Sequence, residues 1–122
     1  MNSAKPVLLP LVISSLLVGC SNEPVKFNLV EATIGDIQSA IRAGEVSCRD
    51  VVAGYIQRIE TFDKSEGINA ITQINPKALA EAAATDDALA NGEVLPELFC
   101  TPLLIKDNFD TFDMVTTGGS IA

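Results

Sequence analysis

Residues 98–108 read LFCTPLLIKDN, an apolar run that ends in a lysine and an aspartate. We expect a strand over residues 98–105, although Pro102 limits its pairing because proline has no N–H to donate. Leu103, Leu104 and Ile105 are consecutive apolar residues without alternation, which is typical of a strand buried on both faces, as in parallel sheets. The stretch therefore predicts an α/β protein with a charged residue at the carboxyl end of a buried strand.

Lys106 follows this predicted strand directly. Ligand-binding and catalytic groups collect at the carboxyl ends of parallel strands. From the residues alone, two roles remain open for its amine. It can stay charged and pair with Asp107 or Asp110, or an apolar setting can favour the neutral amine, which then acts as a general base. The physics of the residues alone favours the ion pair.

The residues before this stretch alternate helix and strand signals. A helix opens at Thr33 and stops at Gly44, because a side-chain oxygen caps its start and glycine accepts the left-handed conformation at its end. A second helix opens at Ser47 and carries an apolar stripe that fades by Asp63. A short strand over 69–74 and a helix over 76–91 follow. The order α, α, β, α, β predicts an α/β fold.

The third predicted helix is rich in alanine. We expect a small apolar face that permits close packing, made of Leu79, Ala80, Ala83, Ala84 and Ala88. Asp86 and Asp87 are expected on the solvated face, and not in a metal site.

Composition excludes several classes of function. The chain has 122 residues, 8 Lys/Arg against 16 Asp/Glu and no histidine. Without histidine, these residues hold no Ser-His-Asp triad and no His-ligated metal. The net charge of −8 argues against nucleic-acid binding, which needs clustered basic residues.

Residues 1–19 have the pattern of a secretory signal peptide. Lys5 precedes Val7 to Gly19, an uncharged run of 13 residues that is too short for a bilayer core needing about 20 helical residues. The run ends in Leu17-Val18-Gly19-Cys20, which resembles the bacterial lipobox. This resemblance implies a lipid-anchored protein of the cell envelope, periplasm-facing or in the outer membrane, with the lipid on Cys20. An ordinary secretory signal and an uncleaved anchor remain alternatives. Residues 20–32 are expected to form a tether.

From Leu29 onward the chain resembles the N-terminal part of the amidase signature family. The similarity covers about ninety residues in collinear order. The stretch Pro102 to Thr111 (PLLIKDNFDT) carries the most specific match, and Thr116 to Ser120 (TTGGS) follows it. Further matching stretches are EATI (31–34), IRAGEVS (41–47), YIQRIE (55–60), INAI (68–71) and NPKAL (75–79). The family's usual His-Gly-Ile-Pro stretch is here Phe99-Cys100-Thr101-Pro102.

The resemblance implies hydrolysis of linear carboxamides by a Ser–Ser–Lys triad, without metal or cofactor. Lys106 matches the family's catalytic lysine. The two serines belong to a signature downstream of this match, so Ser120 is not the expected nucleophile. Residues 33–122 are then expected to be the N-terminal part of an amidase domain, with the first helices and strands of an incomplete mixed sheet. We therefore expect no activity from these residues alone and poor independent folding.

Three functions stay open at this stage. The first is an exported, lipid-anchored amidase that acts on a small-molecule amide. The second is a protein like the family's tRNA-dependent amidotransferase subunits, against which the lipobox argues because that reaction is cytosolic. The third is a non-catalytic remnant or interaction module. Cys48 and Cys100 can form a disulfide in an oxidising compartment, but we expect two free, buried thiols.

Overall fold

The computed structural model describes residues 27–120. It contains three α-helices: α1 (Ile34–Ala43), α2 (Cys48–Arg58) and α3 (Ala78–Ala90). Helix α2 runs directly into a π-helical segment, Ile59–Ser65. Within residues 27–120, no helix is long and apolar enough to cross a membrane. The predicted signal peptide and Cys20 lie outside the described residues.

Local capping signals set the starts of α1 and α2 as predicted. The Thr33 hydroxyl accepts a hydrogen bond from the Asp36 N–H at 3.1 Å, and the Asp36 carboxylate accepts one from the Thr33 N–H at 2.9 Å. The Thr33 side chain, and then its backbone N–H, lowers the pKa of Asp36. Ser47 Oγ likewise accepts from the Asp50 N–H at 3.0 Å. Gly44 ends α1 with φ of 73°, which confirms its predicted left-handed conformation.

The two predicted strands are not present as strands between residues 27 and 120. Residues 69–74 are irregular, and residues 97–100 form a turn in which the Phe99 N–H donates to the Pro96 carbonyl at 3.1 Å. The expected start of the second strand at Leu98 is therefore wrong. Leu104 is 77% exposed and not buried on both faces. A strand exists only through hydrogen bonds to a neighbouring strand, and none of the described residues supplies one. The predicted sheet is therefore not confirmed.

A small core joins the three helices. Its buried members are Ile37 and Ile41 from α1, Cys48 and Val51 from α2, Ala82 from α3, and Phe99. Phe27, Leu29 and Ala32 pack against this core, and the Tyr55 hydroxyl donates to the Leu29 carbonyl at 3.4 Å. The described end of the predicted tether, residues 27–32, therefore packs on the helices.

The face that α3 turns inward overlaps only in part with the one we expected, since Leu79, Ala83 and Ala88 are half-buried. Ala82 is 4% exposed, whereas Ala80 and Ala84 are exposed. The helix carries alanine on nearly every side, so the apolar period does not identify its buried face. Asp86 is also not simply solvated, because its carboxylate accepts from the N–H groups of Cys48 at 2.7 Å and Arg49 at 3.0 Å. Only Asp87 lies on the exposed face.

Candidate active-site groove

An open groove of about 1300 Å³ separates the helices from the segment that carries Lys106. Its lining is mainly apolar and comes from α2, the π-helical segment, α3 and the two irregular stretches near residues 68–75 and 98–107. The exposed apolar side chains that border it are Phe62, Ile68, Leu98, Leu103, Leu104 and Ile105. Lys106 and Asp107 belong to the same lining. The groove therefore brings the Lys106 amine and the Asp107 carboxylate next to an apolar wall.

Asp63 holds the stretch at residues 69–71, which lies at the groove. It is 6% exposed and accepts from the N–H groups of Ala70 at 2.6 Å and Ile71 at 3.2 Å. Burial alone would raise the pKa of Asp63, but these two N–H groups, together with Lys64 at 3.5 Å, lower it overall. Asp63 therefore ties an irregular stretch to the π-helical segment.

The amine of Lys106 forms neither a hydrogen bond nor an ion pair within the described part of the chain. The expected pairing with Asp107 or Asp110 is therefore not seen. Asp107 is engaged by the loop at 117–119, and Asp110 accepts from the Thr116 hydroxyl at 3.3 Å. The ion pair found between residues 27 and 120 joins Lys64 to Asp63. The Lys106 side chain is thus exposed and without a partner among these residues.

Asp107 is the anchor of the glycine loop that follows. Its carboxylate accepts from the N–H groups of Thr117 at 3.0 Å and Gly119 at 3.1 Å, and from the Thr117 hydroxyl. Its carbonyl accepts from the Gly118 N–H at 3.2 Å. Gly118 and Gly119 have φ of 60° and 77°, a left-handed conformation that suits glycine. The Thr117 hydroxyl is the main cause of the lowered pKa of Asp107, and the Thr117 N–H adds to it.

Sequence reasoning missed this use of Asp107. The available signal was the TTGGS stretch, since threonine hydroxyls and glycine N–H groups in a tight loop are good donors to a carboxylate. Ser120 lies at the end of this loop, where its N–H donates to the Thr117 carbonyl at 3.0 Å.

Cys48 and Cys100 form a disulfide, with Cα atoms 5.6 Å apart. The expectation of two free thiols is therefore wrong. The two cysteines are separated by 52 residues, so their distance depends on the fold and not on local sequence. The bond fixes the chain six residues before Lys106.

Between residues 27 and 120, no group of His, Cys, Asp and Glu is arranged to hold a metal ion.

Comparisons with known proteins identify the same region. The family model described as Amidase matches residues 50–122, which include Lys106, the Asp107 loop and all of the groove lining except Cys48. A glutamyl-tRNA(Gln) amidotransferase subunit of Bdellovibrio bacteriovorus is 36% identical over 93 residues, 76% of this chain. The amidase-like protein C869.01 of Schizosaccharomyces pombe is 38% identical over 95 residues, 77% of this chain. The corresponding amidotransferase subunit of Alkaliphilus metalliredigens is 41% identical over 91 residues, 74% of this chain. No solved structure matches.

A lysine next to an apolar groove, followed by an anchored glycine loop, thus lies in the region shared with proteins named as amidases and amidotransferase subunits. The chain belongs to the amidase family, as its sequence motifs predicted. It spans 19%, 16% and 18% of the length of the three relatives named above.

Proposed function

We propose that Lys106 is the general base of a carboxamide hydrolysis carried out with the Ser–Ser–Lys chemistry of the family. Its amine takes a proton from a bridging serine, which takes the proton of a nucleophilic serine as that oxygen attacks the amide carbonyl. The protonated lysine passes a proton back through the bridging serine to the departing nitrogen, so that ammonia or an amine leaves and an acyl-enzyme remains. Water then releases the acid. One observation carries this proposal: Lys106 lies on the groove within the family motif, and its amine has no partner among the described residues.

The lining of the groove, as far as residues 27–120 form it, includes no serine. We infer that the two serines come from polypeptide equivalent to the part of the relatives that this chain does not span. The 122 residues by themselves are then expected not to hydrolyse amides.

A direct test is to purify the 122-residue chain and measure ammonia release from simple linear carboxamides. We expect no release above the buffer blank. Turnover that disappears in the Lys106→Ala variant would contradict the inactivity of the isolated chain.

A hybrid protein tests the role of Lys106 itself. Residues 27–120 replace the aligned segment of a longer family member whose amidase activity has been measured. General acid–base catalysis contributes about 10²–10⁴ in rate, so Lys106→Met should lower kcat/KM by that factor. Lys77→Met is the matched control, because Lys77 is exposed and lies outside the groove lining. Unchanged turnover in Lys106→Met would refute the assignment.

An amidotransferase subunit is the second candidate, because several relatives with 36–41% identity carry that name. Incubating the hybrid with glutamyl-tRNA(Gln) and an amide donor separates the two candidates. Amidated tRNA would favour the second, whereas ammonia release without amidated tRNA would favour the first.

We propose that the protein is exported and anchored by a lipid on Cys20. The Cys48–Cys100 disulfide supports export, because disulfides persist in oxidising compartments and are rare in the cytosol. Cells expressing the chain should incorporate labelled palmitate into the wild-type protein and a Ser21→Ala control, and not into Cys20→Ala. Incorporation that survives Cys20→Ala would remove this proposal.

A further inference from the structure

The segment that carries Lys106 makes few ties to the helices. We call residues 101–119 the lysine segment. Every hydrogen bond that it forms in the described part of the chain has its partner within residues 99–120. The hydrogen bonds of Asp107 therefore close a loop within the segment, and they do not attach the segment to α1, α2 or α3.

Two features attach the stem of this segment, residues 97–100, to the helices. Phe99 is 3% exposed in the core, and Gln38 Nε2 of α1 donates to its carbonyl at 3.1 Å and to the Glu97 carbonyl at 2.8 Å. Cys100 is bonded to Cys48, the first residue of α2, which is 1% exposed. The disulfide is thus the last fixed point before Lys106.

We propose that the Cys48–Cys100 disulfide is a redox-controlled cross-link that holds the lysine segment against the groove. Its reduction by a dithiol releases residues 101–119 and leaves the helices in place. Phe99 and the two Gln38 hydrogen bonds lie before Cys100, so they still hold the stem after the bond is broken. Lys106 then loses its fixed position on the groove.

The reduction is an ordinary thiol–disulfide exchange. A thiolate of the dithiol attacks the sulfur of Cys100, because Cys100 is half-buried and Cys48 is almost fully buried. The S–S bond breaks, Cys48 leaves as a thiolate and takes a proton, and a mixed disulfide with Cys100 remains. The second thiol of the reductant displaces Cys100. In total, two electrons and two protons pass to the cysteines, and the reductant becomes a cyclic disulfide.

Backbone order parameters from NMR test the release on the full 122-residue chain. A Cys20→Ser background leaves only this pair to react. With dithiothreitol, order parameters over residues 101–119 should fall from near 0.85 to below 0.6, while those of α1, α2 and α3 stay near 0.85. A Cys48→Ser/Cys100→Ser variant of the same background should show the low values with and without reductant.

Two results would overturn this role of the disulfide. If reduction lowers the order of the helices as much as that of residues 101–119, the disulfide holds the whole fold. If reduction changes neither region, packing alone holds the lysine segment.

The effect on turnover rests on the proposed function and is measured separately. In the hybrid protein, dithiothreitol should lower kcat at least tenfold, reoxidation should restore it, and the serine variant should not respond to reductant. Loss of order without loss of kcat would overturn the positioning role. A hybrid without turnover in its oxidised state would instead refute the proposed function, while the NMR result would still decide the release.

Discussion

Asp86 acts as a helix cap that comes from another helix. Its two oxygens accept from the first N–H groups of α2, where the positive end of the helix dipole favours a carboxylate. Replacing a capping side chain by alanine costs about 1 kcal/mol, so Asp86→Ala should lower the free energy of unfolding by about that amount. Urea titration followed by circular dichroism measures it. The neighbouring Asp87→Ala should change it by less than about 0.5 kcal/mol, since Asp87 is exposed. Equal effects would disprove the cap.

Asp107 gives the glycine loop a defined pH dependence. Hydrogen bonds, the Thr117 hydroxyl first, hold its pKa below the usual value of 3.8 while the loop is closed. A lowered pKa means that the carboxylate stabilises the closed loop above about pH 4 and that this stabilisation is lost as the pH falls through the lowered value. Amide shifts of Thr117 and Gly119, followed from neutral pH into strong acid, should report opening only in acid.

The Asp107→Asn variant removes the titrating group. We expect faster exchange of the Thr117 and Gly119 amides at neutral pH and no acid transition. Asp113→Asn should behave like the wild type, because no hydrogen bond to the Asp113 side chain is found in residues 27–120. Acid opening that persists in Asp107→Asn would point to another carboxyl group.

At the residue scale, the sequence predicted the role of a residue only where its partner lies close to it along the chain. Thr33, Ser47 and Gly44 act on neighbours within a few positions, so the sequence indicated their roles. Asp86 and Cys100 act on the start of α2 from 37 or more residues away. Lys106 came from the family resemblance, whereas the residues alone favoured an ion pair that the structure does not contain among its described residues.

Gly44 at the end of α1 and Gly35 inside it differ in backbone conformation, so the same substitution should have opposite effects on stability. Gly44 has φ of 73°, so an added Cβ is strained although no atom lies within 4 Å of it. Gly44→Ala should destabilise the fold by about 1 kcal/mol. Gly35 lies inside α1 with ordinary space around it, and Gly35→Ala should be neutral or stabilise by up to about 1 kcal/mol. Thermal unfolding of both variants measures the difference, and the opposite order would contradict this account.

At the element scale, helices with local signals were predicted and the others were not. Helices α1 and α2 have caps and an apolar stripe, and both were placed correctly. The bounds of α3 were close to those expected, but only part of its inward face was identifiable from so many alanines. The strands depended on neighbours that the described residues do not include, so no local pattern could establish them.

For the whole molecule, the apolar lining of the groove predicts dye binding. Isolated chain should enhance the fluorescence of anilinonaphthalene sulfonate, since contiguous exposed apolar surface binds it. Leu104→Lys should reduce this signal, because Leu104 lies on the groove and is 77% exposed. Val94 is 99% exposed and lies outside the groove lining, so Val94→Lys should leave the signal unchanged. Equal losses in both variants would mean that the dye binds elsewhere.

The length of the disulfide loop also sets an upper limit on the stability that removing the bond can cost. A loop of 52 residues corresponds to about 4 kcal/mol of loop-closure stabilisation if the folded state keeps its shape on reduction. Release of residues 101–119 returns freedom to the folded state, so the Cys48→Ser/Cys100→Ser variant should lose less than this. Chemical denaturation of both forms measures the loss. A loss of about 4 kcal/mol or more would show that the segment stays docked.

The Asp86 cap has a consequence for synthesis on the ribosome. All the capping residues of α1 lie next to it in the sequence, whereas the N–H groups of Cys48 and Arg49 at the start of α2 gain their acceptor only after residue 86 has left the exit tunnel. Short helices without such help are marginal in water. The first turn of α2 is therefore completed only when α3 emerges, and the pair α1 and α2 remains only partly ordered until then.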